Sequence, residues 1–241
     1  MAAPWDYPGT PTPHSGLLVS GRVLPLHGVD RRRALDDALA DSGVAPVAVR
    51  TLLVAVGSNA SPSVMGRKMA AGGASEVIPF FSGTLHGFAV GHSAHASLAG
   101  YVATAPYREP RAATAVVASM LDDQQLGCID TTEFNYVRRF IRSDQCRLEV
   151  DGGGQPAGFH FYDSRWGLVS RPGGDPLPAG SQSDLFATLR AEWPPYTEVL
   201  GGADDLRTTM RLLAADEQRR RAFRRSLAAS GWVRPSGLDR I

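Results

Sequence analysis

The sequence predicts an α+β fold: a small mixed β-barrel with flanking helices and a helical C-terminal extension. Three observations carry that reading. Between residues 50 and 171 several strand-length apolar runs follow one another with few helices between them, which favours a mixed barrel over a doubly wound sheet. After Arg171 the texture changes to a Pro172-Gly173-Gly174-Asp175-Pro176 loop and then to helical periodicity. Hydrophobic residues make up 43% of 241, enough for a packed interior.

Taken in order, residues 1–16 hold Pro4, Pro8, Pro11 and Pro13 with Gly9 and Gly16, and read as an irregular arm. Asp30 then caps a helix with Ala34, Leu35, Ala38 and Leu39 on one side. Residues 1–49 thus form an arm and an accessory helix, 50–171 the core, and 172–241 a linker and helical extension. Residues 51–56 are an unbroken apolar run, expected as a strand buried on both faces. It stops at Gly57, and Ser61-Pro62 reads as an N-cap followed by proline at the first helical position. Val64, Met65 and Met69 give that helix its apolar side.

Residues 80–90 are strand material interrupted by Gly83 and Gly87. Asp122 with Gln125 has the spacing of a reciprocal cap, and Leu126 with Ile129 continues a short helix ending close to Glu133. Residues 136–142 are β-branched and aromatic, hence a strand. A turn at 151–154 precedes strands at 159–162 and 166–169. Residues 183–192 and 204–230 read as helices, with Leu212, Leu213, Phe223 and Leu227 as docking positions.

Two stretches carry chemistry. A strand running into Gly57-Ser58-Asn59 and then a helix N-terminus gathers unpaired N–H groups, the makings of an anion cradle, and a glycine there can take φ > 0. The same pattern also serves as an ordinary strand-to-helix turn. Glu133 sits at a helix-to-strand joint, where rigid flanks can aim it at a cavity, with Ile129, Phe134 and Tyr136 as an apolar wall; glutamates at such joints are also common as solvated residues. His92 and His95 would lie one turn apart on a helix, but no third metal ligand is near in sequence. Ser58 has no histidine and carboxylate in a fixed relation to it, although triads assemble from distant positions and His86 or His160 could reach it. The arginines at 219–221 and 224–225 share their helix with Asp216 and Glu217 and read as a solvated face.

Together the two stretches resemble the γ-glutamyl cyclotransferase family, which includes the γ-glutamylamine cyclotransferases. Gly57-Ser58-Asn59 is similar to that family's Tyr-Gly-Ser-Asn loop, and Ile129-Asp130-Thr131-Thr132-Glu133 to its Leu-Asp-x-x-Glu-Gly segment, which a tyrosine follows. The likeness covers roughly residues 50 to 170, with residues 100–105 and 114–118 resembling the two strands between the family's motifs, and implies the family's barrel. It also implies cyclising cleavage of a γ-glutamyl-type amide to a 5-oxoproline-like lactam and an amine, without cofactor or metal. Glu133 would then be the general base and acid, with Val56, Gly57, Ser58, Asn59 and Tyr136 against the substrate. The chain departs from the pattern at Val56, where the family has tyrosine, and at Phe134, where it has glycine. A noncatalytic binder of small carboxylates or amino-acid metabolites and a water-using amide hydrolase are the alternatives.

A net charge of +1 gives no pull toward nucleic acid or anionic lipid. The start has no basic and apolar leader, and no apolar run reaches spanning length, so a cytoplasmic protein acting on a small molecule is expected, with a homodimer left open. Cys128 and Cys146 suggest neither a disulfide framework nor a zinc site. Only Lys68 among the 25 basic residues is a lysine, which reads as composition bias.

Overall fold

The structure, a computed structural model, describes residues 4–25, 31–152 and 155–240. In chain order its elements are β1 (Gly16–Val19), β2 (Arg22–Pro25), α1 (Arg31–Asp41), β3 (Thr51–Ala55), α2 (Pro62–Gly72), β4 (Ile78–Ala96), β5 (Val102–Leu121), α3 (Asp123–Thr132), β6 (Tyr136–Arg142), β7 (Leu148–Val150), β8 (Gly158–Ser164), β9 (Leu168–Val169), α4 (Gln182–Glu192), α5 (Tyr196–Leu200), α6 (Leu206–Ala215), α7 (Glu217–Ala229) and β10 (Val233–Arg234). Asp30, expected to cap α1, and Gly153-Gly154 of the expected turn lie outside the described residues.

The fold is α+β, but the expected barrel is not formed. Strands pair in the order β10-β9-β4-β5-β3-β8-β6, with β1 and β7 joined to β4 and β2 to β1. Among the described residues no pairing returns from β6 to β10, so the sheet is open. Closure requires the outermost strands to exchange ladder hydrogen bonds. Strand number and period report nothing about which strands meet.

The described chain forms two compact units, one of residues 9–88 and 109–163, the other of residues 4–8, 89–108 and 164–240. β4 and β5 are long enough to contribute to both. In the first unit β3 runs antiparallel to β5, from Thr51 opposite Leu121 to Ala55 opposite Val117, and parallel to β8, with Leu53 opposite His160. Side chains alternate along a strand. Leu53 and Ala55 therefore face one core, which Met65 and Met69 of α2 and Leu126 and Ile129 of α3 complete with Phe80 and Leu121. Val54, Phe88, Phe159 and Phe161 are also buried, and Phe161 makes edge contacts at 6.0 Å with both Phe88 and Phe159. Burial of Leu53 and Val54 alike explains the unbroken apolar run of β3. α1 docks through Leu35 and Leu39 onto Leu17 of β1.

In the other unit α4 to α7 enclose a core of Trp193, Tyr196, Leu200, Leu213, Phe223 and Leu227, with Trp193 edge-on to Phe223 at 5.5 Å. Three of the four expected docking residues are in it; Leu212 is half-buried. The helix expected over 204–230 is two helices. Asp216, at φ −131° and ψ 110°, ends α6 and caps α7 by accepting from the Arg219 N–H at 3.1 Å. Its carboxylate competes with helical backbone bonding, which suits a cap better than a helix interior.

Two further expectations are corrected. Residues 100–118 do not make two strands, since β5 runs unbroken for 20 residues through Pro106 and Pro110. Prolines donate nothing to a ladder and read as strand ends, yet edges and bulges accept them. His92 and His95 lie on β4 and not on a helix. His95 is 3% exposed and bonds the Ser93 hydroxyl at 2.6 Å, and Ser93 bonds Ser164 at 2.6 Å, so the imidazole belongs to a buried polar network.

Candidate functional site

The site is built in the first unit by α3, α2 and the turn after β3. α3 is tied down at both ends. At its start, Asp122 accepts from the Gln125 N–H at 2.9 Å while the Gln125 side chain accepts from the Asp122 N–H at 3.1 Å, the reciprocal cap expected from their spacing. The same Gln125 carbonyl accepts from Arg50 Nη1 at 2.8 Å, and the Gln125 amide donates to the Ser75 and Val77 carbonyls at 2.7 and 3.0 Å. Burial lowers the pKa of the Arg50 guanidinium, and Asp122 at 3.7 Å opposes the shift.

At the other end Asp130 Oδ1 accepts from the Tyr162 hydroxyl at 2.6 Å and pairs with Arg138 Nε at 3.1 Å. Burial, then the hydrogen bond to Asp130, then the charges of Asp130 and Glu133 push the Tyr162 phenol far above its usual range, with Arg138 opposing. Tyr162 therefore stays protonated and donates. Nearby, burial and then Arg138 lower the pKa of His160, against the pull of Asp130.

Glu133 is the C-cap residue of α3, with φ −102° and ψ 33°, and its carbonyl accepts from the Tyr136 N–H at 2.8 Å. Opposite it, Ser58 to Ala60 make one 3-10 turn, closed by Ala60 N–H to Gly57 carbonyl at 2.9 Å and Ser61 N–H to Ser58 carbonyl at 3.0 Å. The N–H groups of Gly57, Ser58 and Asn59 thus open the turn, the place where backbone donors lack an intrahelical acceptor. Gly57 has φ −123°, so the positive φ that the sequence allowed is not used. Ser61 precedes α2 with Pro62 in the first turn, as expected, but its hydroxyl makes no capping bond and lies 3.1 Å from the Ser63 hydroxyl.

The acid meets the turn directly. Asn59 Nδ2 donates to Glu133 Oε1 at 3.0 Å, and Lys68 Nζ bridges the pair, donating to Asn59 Oδ1 at 2.7 Å and to Glu133 Oε1 at 2.8 Å. Asn59 is buried, while the Lys68 and Glu133 side chains are 16% and 13% exposed. Both bonds fall on Oε1. Oε2 of Glu133 has no hydrogen-bond partner among the described residues. The expected apolar wall is replaced by polar partners: Phe134 points out, 56% exposed, Ile129 is fully buried in the core, and only Tyr136, half-buried against that core, stays close. Val56, Gly57 and Ser58 are half-buried at the end of β3.

Sequence reasoning brought Glu133 and Asn59 to one site and missed Lys68 and Tyr162. The signal for Lys68 was available, as the single lysine in an arginine-rich chain. None existed for Tyr162, which comes from a strand 32 residues beyond Asp130. His86 lies 3.4 Å from Glu149 and His160 against Phe140, ring centres 5.2 Å apart. A groove of about 850 Å³ also opens in this unit, lined by Leu52, Phe81, Met120, Phe140, Phe159 and His160 among others. It gathers residues from the start of β3, whereas Asn59 follows the end of that strand, and neither Glu133 nor Asn59 lines it. The acid, amide and ammonium converge at the other end of β3.

No protein-family model matches the chain, and no curated protein matches it. Among solved structures, the solution structure of an Arabidopsis thaliana protein is similar at 16% identity and a TM-score of 0.34, over 47% of this chain and 61% of the other. The chain thus spans about three fifths of that neighbour's length. No helix among the described residues is long and apolar enough to cross a membrane.

Proposed function

We propose that the first unit cleaves a γ-glutamyl-type amide by intramolecular cyclisation, with Glu133 as general base and then acid. The observation that carries this is the bond from Asn59 to Glu133 at 3.0 Å, with Oε2 of the acid left open. Oε2 takes a proton from the substrate's α-ammonium. The freed amine attacks the side-chain carbonyl, forming the ring C–N bond and an oxyanion. Collapse of that intermediate breaks the original amide bond as Glu133 returns its proton to the leaving nitrogen, which also takes the second proton of the ring nitrogen and departs as an ammonium. The products are a five-membered lactam and an amine, and atoms balance without water or metal. Because attack is intramolecular, folding the substrate replaces the cost of bringing in a second reactant. The N–H groups of Gly57, Ser58 and Asn59, at the opening of the turn that carries Asn59, are the donors for the oxyanion or a carboxylate, each typically worth ~3 kcal/mol in such a role.

A second reading is a module that binds small carboxylates without turnover, favoured by the hold of Lys68 on Glu133. Incubation with γ-glutamyl peptides and γ-glutamyl amines, with mass-spectrometric detection of 5-oxoproline, separates the two. Cyclisation predicts lactam from the wild type and a loss on the order of 100-fold or more in Glu133→Gln with the fold kept. Lactam formation at the wild-type rate in Glu133→Gln removes the assignment, and ligand recovered unchanged from the wild type favours the binding module.

A further inference from the structure

Lys68 is the single lysine among the chain's 25 basic residues, and it lies against the candidate acid. An ammonium has three N–H donors. Two are engaged, on Asn59 Oδ1 at 2.7 Å and Glu133 Oε1 at 2.8 Å. The third meets no acceptor among the described residues, and the side chain is 16% exposed. A compact ammonium on a flexible stem can turn from one carboxylate to another, which a rigid guanidinium fork does less readily. Side by side and both reachable, one cation and one anion are complementary to an amino-acid zwitterion.

We propose that Lys68 binds the substrate's α-carboxylate, and that its bond to Glu133 is a resting lock which this carboxylate opens. The proposal deepens the γ-glutamyl reading, on which it rests, because such a substrate carries an α-carboxylate and an α-ammonium on one carbon. As the carboxylate takes Lys68, Glu133 keeps Asn59 as its donor and gains the substrate's ammonium as its new partner. One ion pair becomes two, and the proton to be removed is brought to Oε2. A ligand without the carboxylate leaves Lys68 on the acid. The site then selects a free amino-acid end over a simple amine or a blocked amide.

Isothermal titration with L-5-oxoproline and with its carboxamide tests this apart from catalysis, since neither probe carries the ammonium. Wild type is expected to prefer the carboxylate, and Lys68→Met and Lys68→Gln to lose roughly 10- to 100-fold of that affinity without losing carboxamide binding. Glu133→Gln, which removes the competing anion, is expected to bind 5-oxoproline about threefold more tightly or better. In turnover, Lys68→Gln raises KM for a γ-glutamyl substrate more than it lowers kcat; a lysine that only positioned Glu133 would lower kcat at constant KM. Equal binding of the two probes by wild type, or carboxylate preference kept in both Lys68 variants, overturns the proposal. Loss of lactam formation only in Glu133→Gln, with the Lys68 variants unchanged, leaves the cyclisation reading standing and removes this one.

Discussion

Replacing Tyr162 by phenylalanine removes one oxygen from the anchor that holds the last turn of α3. The ring is 8% exposed and packs in the core of the first unit, so the substitution keeps its apolar contacts. What is lost is the 2.6 Å hydrogen bond to Asp130 Oδ1. A hydrogen bond to a charged group contributes about 1.5–3 kcal/mol. Arg138 at 3.1 Å still pairs with Asp130 and keeps the carboxylate from being orphaned, which places the expected loss near ~2 kcal/mol. Urea unfolding at pH 7 should show it as a lower midpoint at unchanged slope. A cycle with Asp130→Asn should assign most of it to the pair. Glu133 is three residues after Asp130, so a loosened last turn should also lower lactam formation. A destabilisation under about 0.5 kcal/mol, or a double mutant whose effects simply add, would refute the view that this bond anchors the site.

Acid should weaken the other unit. Burial lowers the His92 pKa to about 4, its Nε2 accepts from the Gly180 N–H at 3.2 Å and its Nδ1 is buried without a partner. The unfolded chain takes up the proton near pH 6.5 and the folded one only near 4, so stability is full above about 6.5 and falls as pH drops toward 4, by up to ~3 kcal/mol. His95, lowered by burial and by Arg224 to about 3, extends the loss in the same direction. Unfolding midpoints measured from pH 7.5 to 4.5 should fall, and His92→Gln should flatten the slope. Gly100→Ala should destabilise that unit by on the order of 3 kcal/mol, because Gly100 has φ +87° and an added Cβ would run into the Met210 carbonyl oxygen; an unchanged melting temperature would contradict the close approach.

Local signals in the sequence determined the pieces of the site. The reciprocal cap of Asp122 and Gln125, the strand that stops short of Gly57 and the glutamate that closes α3 each rest on interactions within a few residues, so spacing alone discloses them. Local signals also misled where two physical readings share one pattern. Apolar periodicity continued across Asp216 although the backbone turns there, and the family likeness divided residues 100–118 into two strands where one runs unbroken. Tertiary structure alone decided that the sheet stays open, that Asn59 meets Glu133 across 74 residues, and that Lys68 rests on both. Those contacts depend on which faces of β3, α2 and α3 pack together. Side-chain distances across a packed core are set by that docking and leave no trace in neighbouring residue types.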